Sequence, residues 1–106
     1  MRVLRVGPLP ERAIEAAAVF HAQVVPEVLV ALGPPTPGED LVLTFPPASF
    51  DHRGWRLAAV QDLAREAAPR RVNGIVGDHD EAIAEAVAWL EQAAGITGQL
   101  LSVQSG

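Results

Sequence analysis

Apolar and polar residues alternate along the chain in blocks that switch between strand-like and helix-like spacing. Residues 1–7 interleave Arg2 and Arg5 with Val3, Leu4 and Val6, which predicts a first strand stopped by Gly7-Pro8-Leu9-Pro10. Pro10 stands where a helix can begin, because its missing N–H is not needed in a first turn. From Glu11 to about Leu32 the spacing is helical, with Ile14, Ala17, Val24 and Val25 near one another in projection, and Pro26 predicts a kink or a restart. An alternative reading ends this helix near Gln23 and makes Val28–Leu32 a strand, since β-branched clusters suit both.

Gly33-Pro34-Pro35-Thr36-Pro37-Gly38 is a loop by composition. Leu41-Val42-Leu43-Thr44-Phe45 is a continuous apolar run of the kind buried on both faces of a parallel sheet, and Pro46-Pro47 ends it. Arg53 to Ala68 predicts a helix with Leu57, Val60, Leu63, Ala64 and Ala67 on its core face. Pro69 closes it, and Arg71–Val76 is the next strand. Asp78 or Asp80 is placed to cap the following helix, Glu81 to Ala94, which buries Ile83, Ala86, Val87 and Leu90 and turns Glu81, Glu85 and Glu91 to water. Gly95 marks its stop, and a last strand lies near Gln99–Val103. The result is one α/β domain over residues 1–106, a β-α-β-α-β-α-β order with about four mostly parallel strands and three main helices.

Composition narrows the function. The net charge of −5 argues against nucleic acid, whose phosphates require a basic field. With no cysteine, disulfides, thiolate catalysis and Cys-based zinc sites are excluded. The N-terminal stretch is too short and too charged for a signal peptide, and no uninterrupted apolar run approaches the ~20 residues of a membrane span. The expected location is cytoplasmic, with no membrane partner.

Arg71-Val72-Asn73-Gly74-Ile75-Val76-Gly77, an Ala- and Glu-rich helix, and Gly95-Ile96-Thr97-Gly98-Gln99-Leu100-Leu101-Ser102-Val103 together resemble the C-terminal segment of short-chain dehydrogenases/reductases. Once the order of elements is compared, Val19 to Pro26 looks like the long family helix with its internal proline. Leu41–Thr44 with Ala48-Ser49 looks like the strand and turn that carry the family's serine, and Leu57 to Pro69 looks like the active-site helix. The resemblance implies a Rossmann-like half-fold, similar to the C-terminal half of the family fold, with the dinucleotide-binding half not matched. Residues carried across fit the family chemistry badly. Pro46 or a neighbour stands at the serine position, Ser49 near the tyrosine position, Arg53 at the lysine position and Glu15 near the helix asparagine. The chain has neither tyrosine nor lysine, and Arg53 has no neutral form at working pH and no phenol to activate. Gly7-Pro8-Leu9-Pro10 offers too few N–H groups to cradle a pyrophosphate.

Other polar clusters have plain readings. Asp78-His79-Asp80 suits capping better than metal binding, since consecutive residues rarely converge on one ion. Ser49, Asp51 and His52 are too close in sequence for a catalytic triad, whose members must meet with defined geometry. His21 reads as a core or interface histidine with a backbone partner, and Ser102 and Ser105 as strand-end residues.

The expectation is therefore a non-catalytic protein with no catalytic, cofactor or metal residues and no cofactor. It acts by homo-oligomerisation, as a dimer, or as an accessory subunit of a partner such as a full-length dehydrogenase. Val19, Phe20, Ala22, Trp55, Ala59 and Asp62 are the candidate interface residues, because in the resembled family these two helices pair in a four-helix dimer contact. Trp55 projects among Arg56, Asp62 and Glu66; a plainer alternative folds it over the loop at Phe50. Right-handed crossovers would put all three helices on one sheet face, whereas the family arrangement moves the last helix to the other. A small-ligand or nucleotide-binding domain, using loops at Gly7, Pro46 to Ser49 and Gly77, is the alternative function.

Overall fold

Leu41-Val42-Leu43-Thr44-Phe45 is buried at every position, and the computed structural model shows helices covering both faces of the strand it forms. The structure describes residues 1–34 and 39–104. Pro35, Thr36, Pro37 and Gly38 of the predicted loop, and Ser105, lie outside the described residues. Strand β1 (Arg2–Arg5) leads to helix α1 (Ala13–Val19), a π-helical turn at Phe20–Val24 and helix α2 (Val25–Leu32). Strand β2 (Leu41–Phe45), a 3₁₀ turn at Phe50–His52, helix α3 (Arg53–Ala67), strand β3 (Val72–Val76), helix α4 (Asp80–Gln92) and strand β4 (Leu100–Ser102) follow. The strands form one parallel sheet in the order β1-β2-β3-β4, with Arg2 beside Leu41, Leu41 beside Val72 and Gly74 beside Leu100. This is the α/β Rossmann-like half-fold expected from the element order.

Alternation along the strands sorts residues between two cores. Leu41, Leu43, Phe45 and Val72 point to the face covered by α1, α2 and α3, where Phe20, Val28, Leu32, Val60 and Leu63 meet them. Val42 and Ile75 point to the other face and pack under Ile83, Ala86, Val87 and Leu90 of α4. The strand order advances by one neighbour at each connection, yet the last helix lies opposite the first ones, so the third crossover has the opposite hand to the other two. About 98% of such connections are right-handed, which makes β3-α4-β4 the left-handed exception. Without it, Val42, Ile75 and Leu101 would face water. On the uncovered end of that face, Val3 is 46% exposed.

Pro26 neither ends the first long helix nor starts a strand at Val28–Leu32. The π-helical turn lies immediately before it, and the Val25 N–H reaches five residues back to the Phe20 carbonyl. Widening the coil there relieves the clash a proline ring makes with the carbonyl four residues earlier. Ala13–Leu32 thus runs as one 20-residue helical stretch, long and apolar enough by length and composition to cross a bilayer. The sequence reading missed this, because it counted only uninterrupted apolar runs. In the fold, only Ala16, Phe20, Val28 and Leu32 of this stretch are buried, the stripe turned to the sheet.

Helix α3 approaches the sheet closely over Gly74. A Cβ there would stand 2.8 Å from Leu100 Cδ1 and 3.0 Å from Val60 Cγ2, so glycine is the residue that permits this packing. The buried face of α3 is Arg56, Ala59, Val60, Leu63, Ala64 and Ala67, while the expected Leu57 is half-buried at its margin. Helix α4 begins one residue earlier and ends two residues earlier than expected. His79, not Asp78 or Asp80, occupies its N-cap, and Ala93 rather than Gly95 its C-cap.

Candidate functional site

In an open parallel sheet, loops at the carboxyl ends of the strands carry ligand chemistry, and here those loops hold the positions carried over from the family. Ser49 is exposed, and its hydroxyl donates to the Asp51 carboxylate. That bond holds the Asp51 carboxyl below the usual carboxylate range. Arg53 is exposed at the start of α3. Pro46 presents its carbonyl inward, and Glu15 lies on the surface of α1 with its carboxylate 2.9 Å from Arg12. Ser49 is thus tied to Asp51 and Glu15 faces Arg12, while Pro46 has no ionisable side chain.

His52 is buried and has both ring nitrogens engaged. Trp55 Nε1–H donates to Nδ1 at 3.2 Å, so Nδ1 accepts and Nε2–H donates to the Glu11 carbonyl at 2.8 Å. One neutral tautomer satisfies both bonds, and the ring pins the segment before α1 to the start of α3. Asp78, His79 and Asp80 diverge: Asp80 reaches Arg5 at 3.3 Å, whereas Asp78 stays 3.8 Å from the His79 ring. His21 is exposed, with Nδ1 2.8 Å from the Ala17 carbonyl.

The interface candidates divide. Phe20 and Ala59 are 0% and 3% exposed and belong to the chain's own core, leaving no surface for a partner. Trp55 is half-buried and packs inward, its ring 5.3 Å from Phe20 and edge-on to Phe45 at 6.2 Å, rather than projecting among Asp62 and Glu66. It does not fold over Phe50, which is itself exposed. Val19 is half-buried, while Ala22 and Asp62 are exposed, Asp62 being paired with Arg65. Among the described residues the large exposed apolar side chains lie elsewhere, at Val3, at Ile14, Leu29 and Val30 on the α1–α2 helix, and at Phe50 and Trp89.

Sequence reasoning overlooked Arg56, which is 3% exposed. Its position fits the three- and four-residue spacing of Ala59, Val60 and Leu63, and that spacing was the available signal. Nη1 donates to the Pro46 carbonyl at 2.9 Å, and the guanidinium lies 4.9 Å over the Phe45 ring and 5.7 Å over Trp55. Nε has no hydrogen-bond partner among the described residues, and burial pulls the group below the usual arginine range. Arg56 borders two clefts, one of ≈ 290 Å³ toward Leu9 and Glu11, the other of ≈ 110 Å³ toward Val76 and Ser102. A third cleft, ≈ 200 Å³, lies between Arg5, Thr44 and Gly77.

The contacts of the most distinctive sequence stretches lie toward the opposite, amino-terminal ends of the strands and do structural work. Arg71 donates from Nε and its backbone N–H to the Asp40 carboxylate, at 2.8 and 2.7 Å, and from Nη1 to the Leu90 and Ala93 carbonyls that end α4. Burial disfavours the charged form of Asp40, but the Arg71 backbone amide and guanidinium outweigh it and hold the carboxyl below its ordinary value. Asn73 is 0% exposed; its amide donates to the Ile96 carbonyl at 3.0 Å and accepts the Gln99 N–H at 3.0 Å. Thr97 Oγ1 accepts the Val72 N–H at 3.1 Å. Together they fasten α4 and β4 to β3.

A family model described as "SDR-like: Short chain dehydrogenase-like protein" matches residues 4–103. No curated protein and no solved structure matches the chain.

Proposed function

Because the chain belongs to the short chain dehydrogenase-like family, we propose that it is a non-catalytic member that acts through association. It forms a homodimer, or serves as an accessory subunit that stabilises or regulates another enzyme such as a full-length dehydrogenase, in the cytoplasm. What supports this is a kept framework in a chain without tyrosine or lysine. Arg71, Asn73 and Thr97 hold the sheet together, and the resemblance puts Ser49 and Arg53 where the family has its phenol and amine. Exposed Ile14 and Val30, at 73% and 81%, give the α1–α2 helix an apolar outer side for a partner.

Light scattering across a dilution series tests this reading. The expected result is twice the protomer mass, falling to the protomer mass in an Ile14→Glu, Val30→Glu variant, with no NAD(P)-linked turnover in either form. A monomeric wild type that also fails to bind a purified dehydrogenase would overturn it, as would turnover that co-purifies with the chain. A second reading, a small-ligand domain without redox activity, is favoured by the buried Arg56 beside clefts at the strand ends.

A further inference from the structure

Arg56 is a permanent cation placed almost wholly out of water, since arginine does not deprotonate in proteins. Buried charges are ordinarily paired, yet no carboxylate lies within ion-pairing distance of Arg56 among the described residues. The Phe45 and Trp55 rings and the Pro46 carbonyl compensate only part of the charge. Because Pro46 takes the Nη1 end, the edge formed by Nε and Nη2 is the one left without a partner, and Nε bonds to nothing described. Two parallel N–H groups on one edge match a carboxylate's two oxygens.

The smaller cleft, ≈ 110 Å³, adds matching features. Arg53 supplies a second positive charge, Ser102 lines it with a hydroxyl, Ser49's being given to Asp51, and Val76 and Leu100 give it apolar walls. We propose that Arg56 anchors a binding site for a short-chain aliphatic carboxylate in this cleft, between the start of α3 and the ends of β3 and β4. The carboxylate takes the Nε–Nη2 edge and the hydrocarbon tail lies on Val76 and Leu100. Nε is closed off from solvent, so seating the ligand requires the lining around it to open locally. This proposal deepens the small-ligand reading and is independent of association.

Sodium butyrate is the probe, with sodium chloride of equal ionic strength as control. At tenfold excess over its dissociation constant, butyrate should raise the melting midpoint of the full chain by roughly 5 °C. Arg56→Met should abolish the shift while keeping or raising the ligand-free midpoint, because an apolar side chain of similar reach replaces an unpaired ion. Arg56→Lys, which keeps the charge and loses the fork, should weaken binding at least tenfold. Should Arg56→Met not fold, the Arg56 Nε–H resonance in the wild type decides: movement with butyrate and not with chloride supports the site, and an unmoved resonance overturns it. A shift that persists in Arg56→Met leaves ligand binding at the strand ends standing but removes Arg56 from it. Equal stabilisation by inorganic phosphate overturns the carboxylate assignment.

Discussion

Replacing Asn73 with alanine removes one buried amide and orphans two backbone groups at once, the Ile96 carbonyl and the Gln99 N–H. A buried polar group left without its partner costs about 1–3 kcal/mol. Ile96 is half-buried and Gln99 exposed, so water recovers part of the loss and each group falls at the low end. Loss of the side chain's own packing at a 0% exposed site adds to this, for a total of about 2–3 kcal/mol. Against a typical stability of ~5–15 kcal/mol, that is a large fraction, and it corresponds to a fall in melting midpoint of roughly 10–15 °C. Urea titration of wild type and variant, with equal slopes, measures it. Asn73→Asp should be worse, since it sets a carboxylate against the Ile96 carbonyl where an amide donated. An Asn73→Ala variant within about 0.5 kcal/mol of wild type, the range of ordinary surface changes, would refute the latch role given to this residue.

The Arg71–Asp40 clip makes stability pH-dependent in a defined direction. Asp40 is held lower in the folded chain than in the unfolded one, so its contribution is complete above the ordinary aspartate value of about 4 and is lost as pH falls through the folded value. Asp40→Asn should therefore flatten the acid limb of a melting-temperature profile; an unchanged limb would show that other carboxylates set it. Glycine substitutions should split by sign. Gly74→Ala meets Leu100, Val60 and Phe45 at 2.8, 3.0 and 3.3 Å and should lose about 1–3 kcal/mol. Gly54→Ala, within α3 and with nothing inside 4 Å, should gain about 0.5–1 kcal/mol in the same titration. Equal effects at the two sites would contradict the close packing of α3 over β3.

Much of this molecule was legible from residue order alone. A pentad at Leu41–Phe45 that is apolar but for Thr44 implies cover on both faces, and the Ile83, Ala86, Val87, Leu90 spacing names the inner side of α4 without reference to any neighbour. The missing tyrosine and lysine are likewise facts of composition, and they bound the chemistry before any fold is known. Periodicity is local, however, and tells which side of an element is apolar but not what it meets. Crossover handedness alone puts α4 beside α3 and the family resemblance puts it opposite; the assembled sheet decides for the second, because Val42 and Ile75 would otherwise stay wet. The same limit explains Arg56 and Trp55: a charged residue and an amphipathic aromatic were read as surface until Phe20, Phe45 and the Pro46 carbonyl were brought around them from distant segments. Pro26 shows it once more, since the π-helical turn before it carries Phe20 into the sheet core, a contact no neighbouring residue could signal.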